Sequence, residues 1–164
     1  MARIRLTVLD DNLFERAESG EVRALSSTFH RFVDTVARSG VFGRVRYLAP
    51  VRRADERRVQ EVLERLDQSV LELVPTTYFS GIADYLLRSA YLMARNWRPI
   101  DSTIADSDLL WLRLPASNAP LALSAARRHR VAHFGWVAGS ATDVVRAQRR
   151  AAPGRWAAHA AAAA

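Results

Sequence analysis

Near its end the chain alternates short apolar runs with small-residue, helix-length segments. From Leu109 to Leu114 every position is apolar except Arg113, and the run stops at Pro115, which has no N–H to offer a neighbouring strand. The pattern predicts a strand. Ala116, Ser117 and Asn118 follow, with Pro120 just behind, so Ser117 or Asn118 is expected to cap a helix whose first turn holds the proline. That helix should run to about Arg130, because Arg127, Arg128, His129 and Arg130 suit a helix C-terminus. Residues 131–137, with Phe134 and Trp136, predict a second strand that is apolar on both faces and breaks at Gly139-Ser140. Ser140 and Asp143 stand in a capping-box spacing, which predicts a further helix.

The preceding chain follows the same rhythm. Residues 4–9 form an apolar run ended by Asp10, Asp11 and Asn12, residues that a strand interior disfavours, and residues 10–20 are expected to be a loop. Phe29, Phe32, Val33 and Val36 stand at i, i+3, i+4 and i+7, predicting a helix that stops at Ser39-Gly40. Residues 45–48 read as a strand closed by Pro50. Residues 54–66 carry Val59, Val62, Leu63 and Leu66 at helical spacing on a charged background, predicting a surface helix. A third strand is expected over 70–74, ended by Pro75. A helix should begin near Ile82, break at Arg98-Pro99 and resume as a short helix over 101–106.

Strands apolar on both faces and separated by helices require a parallel sheet covered on each side. The expected fold is therefore α/β, a doubly wound, Rossmann-like sheet of about five strands in the order 3-2-1-4-5, the arrangement that right-handed crossovers favour. Ligands in such sheets bind beyond the carboxyl ends of the strands where the winding reverses, here between the first and fourth strands. That rule selects Asp10, Asp11 and Gly20 after the first strand, and Arg113, Ser117 and Asn118 at the end of the fourth. Gly139 and Ser140, after the fifth, adjoin them at a helix N-terminus suited to an anion.

Composition then removes alternatives. The net charge is +7, yet the chain has no lysine, and its arginines are scattered without the interleaved aromatics of a nucleic-acid groove. Nucleic acid is not an expected partner, whereas a weak attraction to anionic membrane surfaces stays open. The missing lysine also excludes a P-loop and disfavours a response-regulator receiver, despite the Asp10-Asp11 pair. No G-x-G-x-x-G follows the first strand, no G-x-S-x-G occurs, and there is no cysteine. The four histidines are dispersed, His30 and His129 on helix surfaces and His133 inside a buried strand, so no metal site is expected. No signal peptide or spanning run is visible, and a cytoplasmic protein without a cofactor is the expectation.

The run from Asp108 to Pro115 reads D-h-h-h-h-R-h-P, and after the alanine-rich helix comes His133-Phe134-Gly135-Trp136-Val137-Ala138-Gly139. Together these resemble the amino-terminal, acceptor-side domain of GT-B glycosyltransferases of the retaining, family-4-like kind. The resemblance extends to Leu9-Asp10-Asp11, the Gly20 loop and the helical segment ending in Arg95-Asn96-Trp97, and departs from the family where a paired-glycine turn would follow the first strand. It implies that residues 1–150 are one half of a GT-B fold, transferring a sugar from a nucleotide-sugar to an acceptor of unknown identity. It further implies that a second, carboxyl-terminal domain holds the donor, and that residues 151–164, an alanine-rich helical run, begin the connection to it. On that reading the chain is truncated and inactive alone, and the groups that catalyse the transfer are not assigned. The residues equally fit a stand-alone, non-catalytic α/β binding or docking module.

Overall fold

A computed structural model describes residues 3–24, 28–53, 64–80 and 82–137 of the chain. The elements in order are β1 (Ile4–Leu9), β2 (Phe14–Arg16), β3 (Val22–Ala24), α1 (Thr28–Arg38), β4 (Phe42–Arg53), β5 (Glu64–Arg65), β6 (Glu72–Thr77), α2 (Ile82–Ala105), β7 (Leu109–Leu114), α3 (Ala119–His129) and β8 (Ala132–Val137). Five strands, β6-β4-β1-β7-β8, pair in parallel. Numbered by order in the chain, these are 3-2-1-4-5, a doubly wound α/β sheet whose winding reverses between β1 and β7.

Both faces of the sheet are covered over its central strands. Leu6 and Val8 of β1, Tyr47 of β4, Leu73 of β6 and Trp111 of β7 pack with Phe29 and Val33 of α1 on one face. Leu9, Leu48, Leu110 and Leu112 pack on the other with Ile100 and Ile104 of α2 and the alanines of α3. Alternation along each strand divides the residues in this way, since successive side chains leave a pleated strand on opposite sides. Gly40, at φ +71°, ends α1 in the left-handed region that glycine adopts without steric cost.

Several boundaries differ from the sequence expectation. The segment after β1 is a hairpin rather than a loop: β2 and β3 pair antiparallel, and β2 lies beside the last residues of β4 on the edge that β1 has just left. Strands of three residues carry too little periodicity to be read. Pro50 does not end its strand, because β4 runs through it to Arg53. Asp10 N–H donates to the Leu48 carbonyl at 3.1 Å, so the next ladder bond toward β1 would need an N–H on Pro50. At that point β1 turns away, and the missing donor leaves no partner unsatisfied. Pro75 likewise lies inside β6, in register with Ala49. Ala49 directs its backbone toward β6, so the nitrogen of Pro75 faces the side of the strand that pairs with no other among the described residues, where proline is tolerated.

The helix expected over 54–66 falls mostly outside the described residues, but its end is a strand, with Glu64 and Arg65 pairing with β3. The break expected at Pro99 is absent, and α2 is one helix of 24 residues. Leu92, Asn96, Ile100 and Ile104 lie on its buried side, and their packing carries the helix across the lost backbone bond. β8 is exposed at all six positions rather than buried, and His133 is exposed with it, its Nδ1 3.2 Å from the Val131 carbonyl. His30, expected at the surface, is 3% exposed and lies edge-on to Phe14. Gly139, Ser140, the helix expected after them and the alanine-rich tail lie outside the described residues.

At the amino ends of the strands, Arg5, Arg44 and Arg46 meet Glu72, Asp106 and Asp108 in a network of ion pairs. Hydrogen bonds from Arg5 hold the Asp108 carboxyl down to about 2, and Arg46 and its neighbours lower Asp106. These arginines are therefore engaged in structure, at the end of the sheet opposite the switch point.

Candidate functional site

The carboxyl ends of β1 and β7 diverge at the switch point, and the side chains there divide between the two faces of the sheet. On the α1 face Asp10 is 3% exposed and fully engaged. Its Oδ2 accepts from the Tyr47 hydroxyl at 2.7 Å, Arg113 Nη1 approaches both oxygens at 3.2 and 3.4 Å, and the Asp11 N–H donates to Oδ1 at 2.8 Å. Burial and the Asp10 carboxylate push the Tyr47 phenol well above its ordinary value, so the hydroxyl remains a donor. The Arg113 guanidinium lies 4.8 Å over the Phe29 ring, which fixes it from the side opposite Asp10. Asp10 and Arg113 are thus paired at the carboxyl ends of β1 and β7, with Arg113 still partly exposed.

On the opposite face Asp11 reaches the start of α3. Its Oδ2 accepts the Ser117 N–H at 2.7 Å and also bonds the Ser117 hydroxyl, while its Oδ1 is buried with no hydrogen-bond partner. Burial pushes the Asp11 carboxyl up, and the bonds from Ser117 only partly oppose this. Because the folded value is raised, the cost of the charge is absent at low pH and grows as pH rises through that value. Asp11→Asn should therefore stabilise the protein at neutral pH, with the difference vanishing below the ordinary carboxylate range. Thermal melts of both proteins across pH check this; an equal or lower melting temperature for the variant at neutral pH would contradict it.

Asn118 occupies the N-cap position of α3, but its side chain makes no capping bond. Its Oδ1 instead accepts from Asn96 Nδ2 at 3.1 Å, and Asn96 Oδ1 accepts the Thr77 N–H at 2.8 Å. This relay joins the end of β6 to the start of α3 through α2. Tyr85, in the first turns of α2, donates to the Ser117 carbonyl at 2.8 Å and closes the same side. Burial and the charge of Asp11 raise the Tyr85 phenol.

Of the residues selected from the sequence, Asp10, Asp11, Arg113, Ser117 and Asn118 converge at the switch point. Gly20 does not join them. At φ +87° it turns the β2–β3 hairpin, donating to the Ala17 carbonyl and accepting from Gln68. Gly139 and Ser140 lie outside the described residues. Sequence reasoning missed Tyr47, Tyr85, Asn96 and Glu15. Glu15 is fully buried on β2, with Oε1 bonded by Arg52 and Oε2 without a partner. Alternation within β4 would have aimed Tyr47 at the same face as the residues beside Asp10, whereas Glu15 had no legible strand around it. Among the described residues no cluster of three His, Cys, Asp or Glu side chains is placed to hold a metal ion.

The fold and site define a doubly wound α/β domain with a cluster of polar side chains at its switch point. No protein-family model and no curated protein matches the chain. Among solved structures, the chain is similar to the C-terminal domain (residues 78–226) of PF1911 hydrogenase from Pyrococcus furiosus. That match has 12% identity and a TM-score of 0.46 over 84% of this chain and 94% of that one. A second structure of the same domain, residues 83–215, matches at 11% identity and a TM-score of 0.44 over 83% and 94%.

Proposed function

We propose that the chain is the acceptor-side domain of a GT-B-type retaining glycosyltransferase, with the switch-point crevice receiving the acceptor. The observation that carries this reading is the convergence of Asp11, Arg113, Ser117 and Asn118 at the carboxyl ends of β1 and β7, the place where doubly wound sheets bind ligands. The Ser117 hydroxyl donates to Asp11 and keeps its lone pairs for a donor, and an acceptor sugar or alcohol presents one. The Asp108-to-Pro115 motif supports the same assignment, since its arginine stands at the switch point and its proline leads directly into Ser117 and Asn118.

In that role Asp11 holds Ser117, whose hydroxyl oxygen orients the acceptor hydroxyl, and Arg113 faces the negative charge of the donor phosphates. The acceptor oxygen forms the new bond to the anomeric carbon, the bond to the nucleotide phosphate breaks, and the acceptor proton passes to the departing phosphate oxygen. Orientation of the two reactants and electrostatic support of the leaving group supply the rate enhancement. The donor belongs to a partner domain.

Transfer tested with the product of the complete reading frame, by nucleoside diphosphate release from a panel of nucleotide-sugars, should depend on an added hydroxyl acceptor. Asp11→Asn should lower that rate by about tenfold or more while leaving the fold intact. Binding of saccharide without any release of nucleoside diphosphate would favour a non-catalytic module instead.

A further inference from the structure

The solvent face of α2 is apolar over its first half, which is unusual for a helix that already buries its other side. Leu87 is 89% exposed, Leu86 66%, Tyr91 56% and Met93 37%, and the exposed Ala83, Ala90 and Ala94 complete a continuous stripe. The buried side, Leu92, Asn96, Ile100 and Ile104, is spoken for by the sheet and α3, so these residues contribute nothing to the core. Contiguous exposed apolar surface of this kind marks an interaction site.

The charges beside the stripe name its partner. From Ile82 to Arg98 the helix carries Arg88, Arg95 and Arg98, all exposed, against one carboxylate, Asp84, which is paired with Arg88 at 3.3 Å. The last turn of α3, packed alongside, adds exposed Arg127 and Arg128, the latter over the Trp97 ring at 4.7 Å and 3.5 Å from Asp101 of α2. A second copy of this chain docking symmetrically would bring these arginines against their own counterparts, which opposes self-association. We infer that the exposed face of α2 docks on an anionic lipid surface. Leu86, Leu87 and Met93 enter the acyl boundary, Tyr91 sits at the head-group level, and the flanking arginines meet the phosphates. The stripe occupies the half of α2 that begins at the carboxyl end of β6 and touches the crevice through Tyr85, so docking holds the crevice beside the surface. The inference stands on exposure and charge alone and does not rest on what the crevice binds.

The test is co-sedimentation of the full chain with vesicles of phosphatidylcholine and phosphatidylglycerol in equal parts, against phosphatidylcholine alone. The protein should partition to the anionic vesicles, and added salt should release it. Leu87→Glu and, separately, Arg95→Glu with Arg98→Glu should each weaken partitioning by roughly tenfold. These side chains are exposed, so thermal melts should be unchanged and the fold controlled for. Equal binding to both vesicle types, equal binding by wild type and Leu87→Glu, no binding at all, or a dimer dissolved by Leu87→Glu would overturn the inference.

Discussion

Replacing Asp10 by alanine should destabilise the domain by about 3 kcal/mol, lowering its melting temperature by roughly 6–12 °C. The carboxylate is almost wholly buried and receives Tyr47, Arg113 and the Asp11 N–H, so its removal leaves the Tyr47 hydroxyl without its acceptor and the Arg113 charge without its counterion. Partial exposure of Arg113, 31% of its side chain, keeps the expected loss at the lower end of what breaking a buried ion pair costs. Asp10→Asn retains an acceptor for Tyr47 and should lose less. Chemical denaturation of the three proteins decides the matter, and an alanine variant within about 0.5 kcal/mol of wild type would show that the cluster does not hold the switch point together.

The second large effect is in α2. Ile104→Ala should cost about 3 kcal/mol, because the side chain is fully buried against β1, β7 and α3 and its removal leaves a cavity in a close-packed layer. Pro99→Ala, five residues earlier, should act in the opposite direction. It restores the backbone bond to the Arg95 carbonyl, and after the added freedom of the unfolded chain is deducted a gain of about 2 kcal/mol remains. Opposite signs at these two positions in urea titrations follow only if core packing sustains the helix through its proline. A Pro99→Ala variant that loses stability would mean that the helix is shaped around the ring.

Much of the fold was legible because short apolar runs separated by helix-length segments locate β1, β4, β6, β7 and β8 and hence the strand order, although β8, read as buried, is exposed. What misled was proline read as a local rule. Pro50, Pro75 and Pro99 each lack a donor, but the first sits where β1 departs, the second on the side of β6 that pairs with no strand among the described residues, and the third in a helix held by Ile100 and Ile104. Only the three-dimensional position of the missing N–H decides its consequence. The site was legible where topology names loops, at Asp10, Asp11, Arg113, Ser117 and Asn118. It was illegible where partners come from afar: Tyr47 lies 37 residues from Asp10, and Asn96 22 from Asn118. Gly20 was selected because the hairpin that carries it away from the crevice is built from three-residue strands.

Ligand mapping by backbone amide shifts tests the central claim most directly. Titrating mono- and disaccharides into the isotope-labelled chain should give saturable shifts at Asp11, Asn12, Ser117 and Asn118, and Asp11→Asn should weaken the response by about tenfold. Shifts that cluster away from the carboxyl ends of β1 and β7, or that survive Asp11→Asn unchanged, would contradict an acceptor site at the switch point.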